Sequence, residues 1–490
     1  MITHEYQQRS SSDVSGATLP RVLGPLEALC VIVGSVIGSG IFIVPARVAR
    51  EVPSIALIGV LWVAGGLFSL AGALTIAELG AMIPRAGGPY VYLRAAYGRL
   101  PAFLFGWTEF LVIRAGSMAT LAAAFALYWA QVIPAPAGVR AEVWEMLAAS
   151  GAIAILATVN VLGTKHGGGV QVVGTALKLG ALAFMIVAPF AMGRADVARL
   201  SPLWPARFDA TLFRGMTAAM VGVLWAYDGW INSASLAEEI REPERNLPRA
   251  LFLGTLVLIA FYLGVTLVYH LVLTMPEVAA AATEKGSPKI VAAEFFKRLF
   301  GASGVTAIAL IVMCSTFISL NGNCLSGPRA YFAMARDGLF PKALARVHAR
   351  FHTPANAVVA QSAWAVALIV GGTLWVLARV PAAADLSTTA PRPKMLYDVL
   401  YAYVIFGGTV FYTLSIAAVF VLRRTMPDAP RPYRCWGYPV TPALYVVAAL
   451  GLLASMLSDS TSRVESLAGL GIIGVGMLVY PFFANTRQHA

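Results

Sequence analysis

About twelve apolar stretches follow one another along this chain, each near the ~20 residues needed to cross a hydrocarbon core. They are expected at 26–48, 54–83, 101–133, 147–165, 169–193, 213–238, 249–275, 302–328, 355–379, 397–423, 438–458 and 463–484. Hydrocarbon offers no partner to a backbone N–H or C=O, so each span must satisfy its own, as an α-helix does. The expected fold class is therefore an all-α polytopic membrane protein with 12 transmembrane helices. Of 490 residues, 58% are hydrophobic and 12% charged, where soluble domains carry about 25% charged. Lys and Arg outnumber Asp and Glu by 36 to 24. They are scattered over short loops, the wrong distribution for nucleic acid. The Ser-rich start, Glu5 to Ser15, shows no cleavable signal peptide. Cys314 and Cys324 would stand ~15 Å apart on one helix, and no disulfide framework is expected from them with Cys30 and Cys435.

An even number of spans puts both termini on one side. The Arg-bearing loops 84–100, 329–354 and 424–437 favour the cytoplasm for that side. Loops 194–212, 276–301 and 380–396 weaken the bias.

Two spans are interrupted at their centres. Gly34-Ser35-Val36-Ile37-Gly38-Ser39-Gly40-Ile41-Phe42 crowds small residues into the first. Either the helix stops and restarts there, or the small residues let a neighbouring helix pack closely. Bare backbone at membrane depth survives only where it lines a cavity or is buried in protein. A restarting half-helix would point its N–H groups at that cavity, which suits a carboxylate. The sixth span carries Tyr227-Asp228-Gly229-Trp230 at membrane depth. A carboxylate there costs ~2.5–3.5 kcal/mol on insertion scales and faces a cavity or a partner. Paired interrupted helices in corresponding halves point to an inverted-repeat transporter. Lys178, in the fifth span, either snorkels to an interface or serves inside as a fixed cation or proton carrier.

A catalytic reading finds no footing. His4, His166, His270, His348, His352 and His489 are scattered without metal-ligand spacing. No cofactor or metal site is expected. Gly167-Gly168-Gly169 follows no strand and is expected as a turn, not a phosphate loop. A channel would want charged rings or a filter along an open pore, and two broken helices argue for occlusion instead. A sensor built on a transporter scaffold would look the same in sequence.

Four motifs occur in order: Gly38-Ser39-Gly40-Ile41-Phe42; Ala77-Glu78-Leu79-Gly80 through Pro84-Arg85-Ala86-Gly87-Gly88-Pro89-Tyr90; Leu224-Trp225-Ala226-Tyr227-Asp228-Gly229-Trp230 with Glu238-Glu239 and Pro243-Glu244-Arg245-Asn246-Leu247-Pro248; and Leu422-Arg423-Arg424 with Pro427 to Tyr433. Together they resemble permeases of the amino acid–polyamine–organocation superfamily, most of all L-type amino-acid transporters. The resemblance covers the whole apolar chain. It implies a LeuT-type fold of 5+5 inverted repeats plus two helices, with helices 1 and 6 broken. On that scheme residues 1–24 are a cytoplasmic tail, 25–193 the first repeat, 213–424 the second, 438–484 the last two helices and 485–490 the cytoplasmic C-terminus. It implies a sodium-independent amino-acid transporter of the plasma membrane, an exchanger or a proton-coupled permease.

The resemblance also implies roles. Gly38, Ser39 and Gly40 would hold the substrate carboxylate; carbonyls of Val36, Trp225 and Asp228 would hold the amine, with Tyr227 and Gly229 in the same wall. Trp225 would be the gate, against the simpler reading of lipid or interface packing. Lys178 would replace the coupling ion of sodium-dependent relatives. Glu78 would pair with an inner Arg, and Arg114 in the third helix needs a polar partner. Ser319, Asn323 and Tyr401 are expected to complete the pocket. Asp228 would either cap the helix break or favour cationic substrates. Ile231 follows Trp230 where many L-type relatives have Asn. The loop Ile133 to Glu145 lacks the Cys by which vertebrate relatives bond a heavy subunit, so no such partner is expected.

Overall fold

The computed structural model describes residues 18–205, 207–281, 290–379, 396–458 and 463–484. The C-terminal call at 485–490, most of loop 380–396 and residues 1–17 of the tail lie outside them. Helices dominate. The first interrupted span is two helices, α1 (Pro25–Val36) and α2 (Gly40–Glu51), bent by 43° at the break. Long helices follow: α3 (Ile55–Met82), then, after the short α4 (Pro89–Tyr97), a third span made of α5 (Arg99–Thr108), a π-helical turn at Glu109–Ile113, and α6 (Arg114–Val132). Then come α7 (Ala141–Leu162) and α8 (Thr164–Ala191). The second interrupted span is α9 (Ala210–Ala226), an irregular turn, and the four-residue α10 (Asn232–Ser235). Beyond it lie α11 (Pro243–Val272), the short α12 (Met275–Ala280) and α13 (Val291–Phe300), α14 (Ala302–Ser326) with its extension α15 (Pro328–Arg336), α16 (Ala355–Arg379), α17 (Leu396–Thr425), α18 (Val440–Ser458) and α19 (Arg463–Ala484).

Among the described residues, ten helices are long and apolar enough to cross a membrane, and the bent α1–α2 pair makes eleven. The sixth expected span, 213–238, is the one not among them, for a physical reason. Its helix stops at Ala226, where Asp228 and Gly229 interrupt it, and 17 residues of α9 reach only about 25 Å. A second expectation is corrected outright. Gly167-Gly168-Gly169 is not a turn; it lies inside α8, and the chain turns at Gly163, whose φ is +155°. The glycines there make room. A Cβ on Gly167 would lie 2.3 Å from Asn160 Oδ1, and one on Gly168 2.9 Å from Leu23 Cδ2.

The broken spans sit at the centre. α1 packs against α8, α11 and α14, while α2 packs against α9. Both readings of the Gly/Ser stretch turn out to hold, at different glycines. Gly34 is a packing glycine: a Cβ there would sit 2.2 Å from Thr175 Oγ1 of α8. Gly38 and Gly40 belong to the break, and a Cβ on Gly40 would come within 3.0 Å of the Ala226 backbone.

Candidate substrate-binding site

The break in the first span leaves carbonyls with no intrahelical partner, as any helix end does. Neighbouring helices supply the partners. Lys178 of α8 is buried, 3% exposed, and its ammonium donates to the carbonyls of Gly34 at 2.6 Å and Ile37 at 2.5 Å, and to Ser319 Oγ at 2.8 Å. The snorkelling reading is therefore corrected: the side chain ends at the break, where the C-terminal dipole of α1 favours a cation. Ser319 also donates to this carbonyl pair, and Ser315 donates to Gly38 O at 2.9 Å and Ile37 O at 3.1 Å. Higher on α8, Gln171 and Thr175 both donate to Cys30 O, fixing α1 lengthwise.

The second break is closed by its own backbone. Asp228 N donates to Trp225 O, Asn232 N to Gly229 O and Ala234 N to Ile231 O, each at 3.0–3.1 Å. Gly229 takes φ +112°, open to glycine and strained for other residues. The Tyr262 hydroxyl of α11 reaches both breaks, 2.7 Å from Ala226 O and 3.3 Å from Val36 O.

Between the breaks lies a cavity lined by Ser35, Val36, Gly38, Ser39, Gly40, Trp225, Asp228 and Gly229, with Arg114, Asn232, Asn323 and Tyr412 in its walls. Seven of the eight predicted substrate residues thus meet in one place. The eighth, Tyr227, is placed elsewhere: its ring is fully buried against Trp62 and Tyr262, and its hydroxyl donates to Trp62 O at 3.1 Å. The side-chain oxygens of Ser35 and Ser39 are buried and have no hydrogen-bond partner among the described residues; Ser35 Oγ lies against Gly322 of α14, while Ser39 stands at the break in the cavity lining. A buried hydroxyl without a partner costs free energy, and at the break that cost falls on Ser39. The first N–H groups of α2 open beside Ser39, which is the N-cap of that helix and makes no side-chain cap. Asp228 does not cap α10, whose N-cap is Ile231 without a side-chain cap, but within the break its carboxylate accepts from the Gly229 N–H, as the cap reading expects. Its carboxylate stands half-buried in the cavity wall. Trp225 lies partly buried in the same wall, its ring close to Gly40. Asn323 is in the wall, Ser319 supports the break from behind, and the Tyr401 side chain lies outside the described residues.

Arg114 finds its partner through the π-turn. One extra residue per turn puts positions 109 and 114 on one face, and Arg114 donates to Glu109 Oε1 through Nε at 2.9 Å and Nη2 at 2.5 Å. Its Nη1 reaches Asn232 Oδ1 at 2.6 Å and Asn323 Oδ1 at 2.8 Å. Glu78 accepts from Arg423 through both oxygens, at 2.9 and 2.7 Å, and from Cys435 N at 2.7 Å.

Over the N-terminal side of the cavity, polar groups seal the bundle in a way that went unassigned in the sequence. Glu239 and Arg329, both fully buried, pair at 2.6 Å. Thr164 donates to Glu239 at 2.5 Å and accepts from Arg329 at 2.9 Å. Glu238 accepts from Leu19 N and Ala86 N and pairs with Arg336. Leu23 bridges to the same segment through Glu239 O and Arg241 N. The acidic pair was visible as Glu238-Glu239, but its partners are distant in sequence.

Comparison with known proteins now decides the family. The Amino acid permease family profile matches residues 23–478. The chain belongs to the amino acid permease family. It is similar to the serine/threonine exchanger SteT of Bacillus subtilis (strain 168), 31% identical over 472 residues, covering 96% of this chain and 98% of that protein. It is 31% identical over 490 residues to the human b(0,+)-type amino acid transporter 1, covering 97% and 91%. It is 29% identical over 494 residues to the large neutral amino acids transporter small subunit 2 of Oryctolagus cuniculus, covering 98% and 83%. This permease is a transporter and not an enzyme. Among the described residues no three His, Cys, Asp or Glu side chains are grouped to hold a metal.

Proposed function

We propose that this permease carries neutral L-amino acids by alternating access, independently of sodium, as an exchanger or a proton-coupled symporter. The observation that carries this reading is the unpartnered hydroxyl of Ser39 at the opening N-terminus of α2, in one cavity with Asp228. Donors and a positive helix end suit a carboxylate; turn carbonyls, each with a second lone pair to offer, suit an ammonium. A zwitterion is read at both ends.

Sodium independence rests on Lys178, whose ammonium already occupies the carbonyls where a metal ion would bind. Glu109 and Asp228 formally balance Arg114 and Lys178 around the cavity, so a net-neutral substrate adds no uncompensated charge. Trp225 is the gate on the side away from the Glu239–Arg329 seal, and that seal closes the cytoplasmic side. Both termini lie in the cytoplasm, the membrane is the plasma membrane, and the helices form two inverted repeats of five, 25–193 and 213–424, with 438–484 appended. The chain works without a disulfide-linked heavy subunit, because Ile133 to Glu145 holds no Cys. The name of the rabbit relative, a small subunit, describes that protein as part of an assembly. Asp228 favours one second reading, a broad-specificity or cationic amino-acid permease.

The test is uptake of labelled amino acids into proteoliposomes, preloaded or empty, with sodium and pH varied. Uptake only into preloaded vesicles, blind to sodium and pH, means exchange. Uptake into empty vesicles that rises with an inward proton gradient means symport. Absence of uptake for every amino acid, or strict sodium dependence, overturns the reading. Ser39→Trp should abolish uptake in folded protein, since the indole fills the space between the breaks; normal uptake would remove Ser39 from the site.

A further inference from the structure

Arg114 does more than find a counter-charge. Its guanidinium is 4% exposed and ties three spans together: Glu109 on the third, Asn232 after the second break, and Asn323 on α14. A carboxamide that gives its oxygen to a cation must turn its NH2 group the other way. For Asn323 one of the two N–H donors goes to Ser319 O at 3.0 Å. For Asn232 no partner stands among the described residues, and Asn232 lines the cavity. Asn232 therefore offers N–H donors to whatever occupies the cavity, in a direction set by Arg114. Asp228, four positions earlier in the same wall, offers acceptor oxygens.

A donor beside an acceptor matches a group that both accepts and donates. Hydroxyls and carboxamides do this; aliphatic side chains do neither. We infer that Asn232 reads the substrate side chain together with Asp228, that Arg114 and Glu109 are positioning residues for Asn232, and that the preferred substrates are L-amino acids with a side-chain hydroxyl or carboxamide. This rests on the amino-acid reading above and narrows it. An apolar side chain of equal size fits the volume but leaves the Asn232 donors and the free lone pairs of the Asp228 carboxylate unpartnered in a closed cavity. Sites built to hydrogen-bond a substrate group reject analogues that lack it far more strongly than apolar pockets reject a missing methylene.

Threonine and valine make the test, because they differ by hydroxyl against methyl at nearly constant volume. The full chain in proteoliposomes takes up labelled threonine while unlabelled threonine, valine, asparagine or leucine competes. Threonine and asparagine should compete at concentrations at least roughly tenfold lower than their isosteres valine and leucine. Asn232→Leu should raise the KM for threonine by a similar factor and bring threonine and valine together. Glu109→Gln, which neutralises the charge that orients Arg114, should narrow the threonine-to-valine ratio, with the fall in melting temperature that loss of a buried ion pair brings. A merely structural role would lower flux for both amino acids alike and leave the ratio intact. Equal competition by threonine and valine in the parent protein overturns the inference, whether or not any variant folds. So does an Asn232→Leu protein that keeps the parent ratio. Absence of uptake for any amino acid overturns the transport reading, and this inference with it.

Discussion

The two helix breaks lie side by side, close enough that Gly40 nearly touches the backbone of Ala226, yet they are held in opposite ways. At the first, the freed carbonyls of Gly34, Ile37 and Gly38 are gripped from outside by an ammonium and two hydroxyls on α8 and α14. At the second, the chain turns on its own backbone bonds around Gly229, and Tyr262 supplies the outside hydroxyl. The firm anchors of the second segment come after the turn, at Asn232, held by Arg114, and at Glu238 and Glu239. A charge-assisted hydrogen bond is worth roughly twice a neutral one. The first break is thus a fixed frame. The second is a short turn anchored at its far end, with freedom to adjust around a ligand.

Removing the far anchor should give the largest effect. Arg329→Met leaves Glu239 buried without its cation, and breaking a buried pair costs about 3–5 kcal/mol. The melting temperature in detergent should fall, and the segment after the second break should gain hydrogen–deuterium exchange while α1 and α8 keep their protection. Equal gains at both breaks would mean that they share one anchorage.

Lys178→Ala attacks the frame itself. It removes three hydrogen bonds from a cation, and the two hydroxyls that remain cannot satisfy every carbonyl. A net loss of about 2–3 kcal/mol corresponds to roughly 30- to 150-fold slower uptake. Sodium need not rescue it, because the alanine leaves a gap without carboxylate ligands. An active Lys178→Ala protein would show that the serines alone hold the frame.

Tyr262→Phe deletes the hydroxyl shared by both breaks, at about 1 kcal/mol. Uptake should fall several-fold, chiefly through the second break, because Ala226 O loses its 2.7 Å partner while Val36 O loses only a 3.3 Å one.

What the sequence revealed follows the same division. The breaks were legible because glycine and serine at the centre of an apolar span leave a local signature, and Asp228 because a carboxylate at membrane depth is conspicuous. Lys178 was legible as a buried charge, but its target was not: Gly34 and Ile37 lie more than 140 positions away. Ser315, Tyr262 and Arg329 carried no signal, since single polar residues in apolar helices look alike until packing gives them partners. Tyr227 misled because it sits inside the motif, while its direction is set by Trp62 and Tyr262. The π-turn was invisible too; Glu109 and Arg114 are five apart, a spacing that an ordinary helix places on different faces.

Asp228→Asn should have the smallest effect on folding, and it separates the two readings of the acid. The carboxylate makes no cap for α10, and asparagine keeps an oxygen to accept from the Gly229 N–H, so its loss should move stability by less than about 1 kcal/mol. If the carboxylate faces the side chain of the substrate, cationic amino acids should lose their uptake while neutral ones keep most of theirs. If it faces the α-amine, every substrate should weaken by a similar factor, because all share that ammonium. The measurement is paired uptake of a neutral and a cationic amino acid by the same vesicles. A ratio unchanged by the substitution assigns Asp228 to the amine, and makes the second break the cation-binding counterpart of the carboxylate cradle at the first.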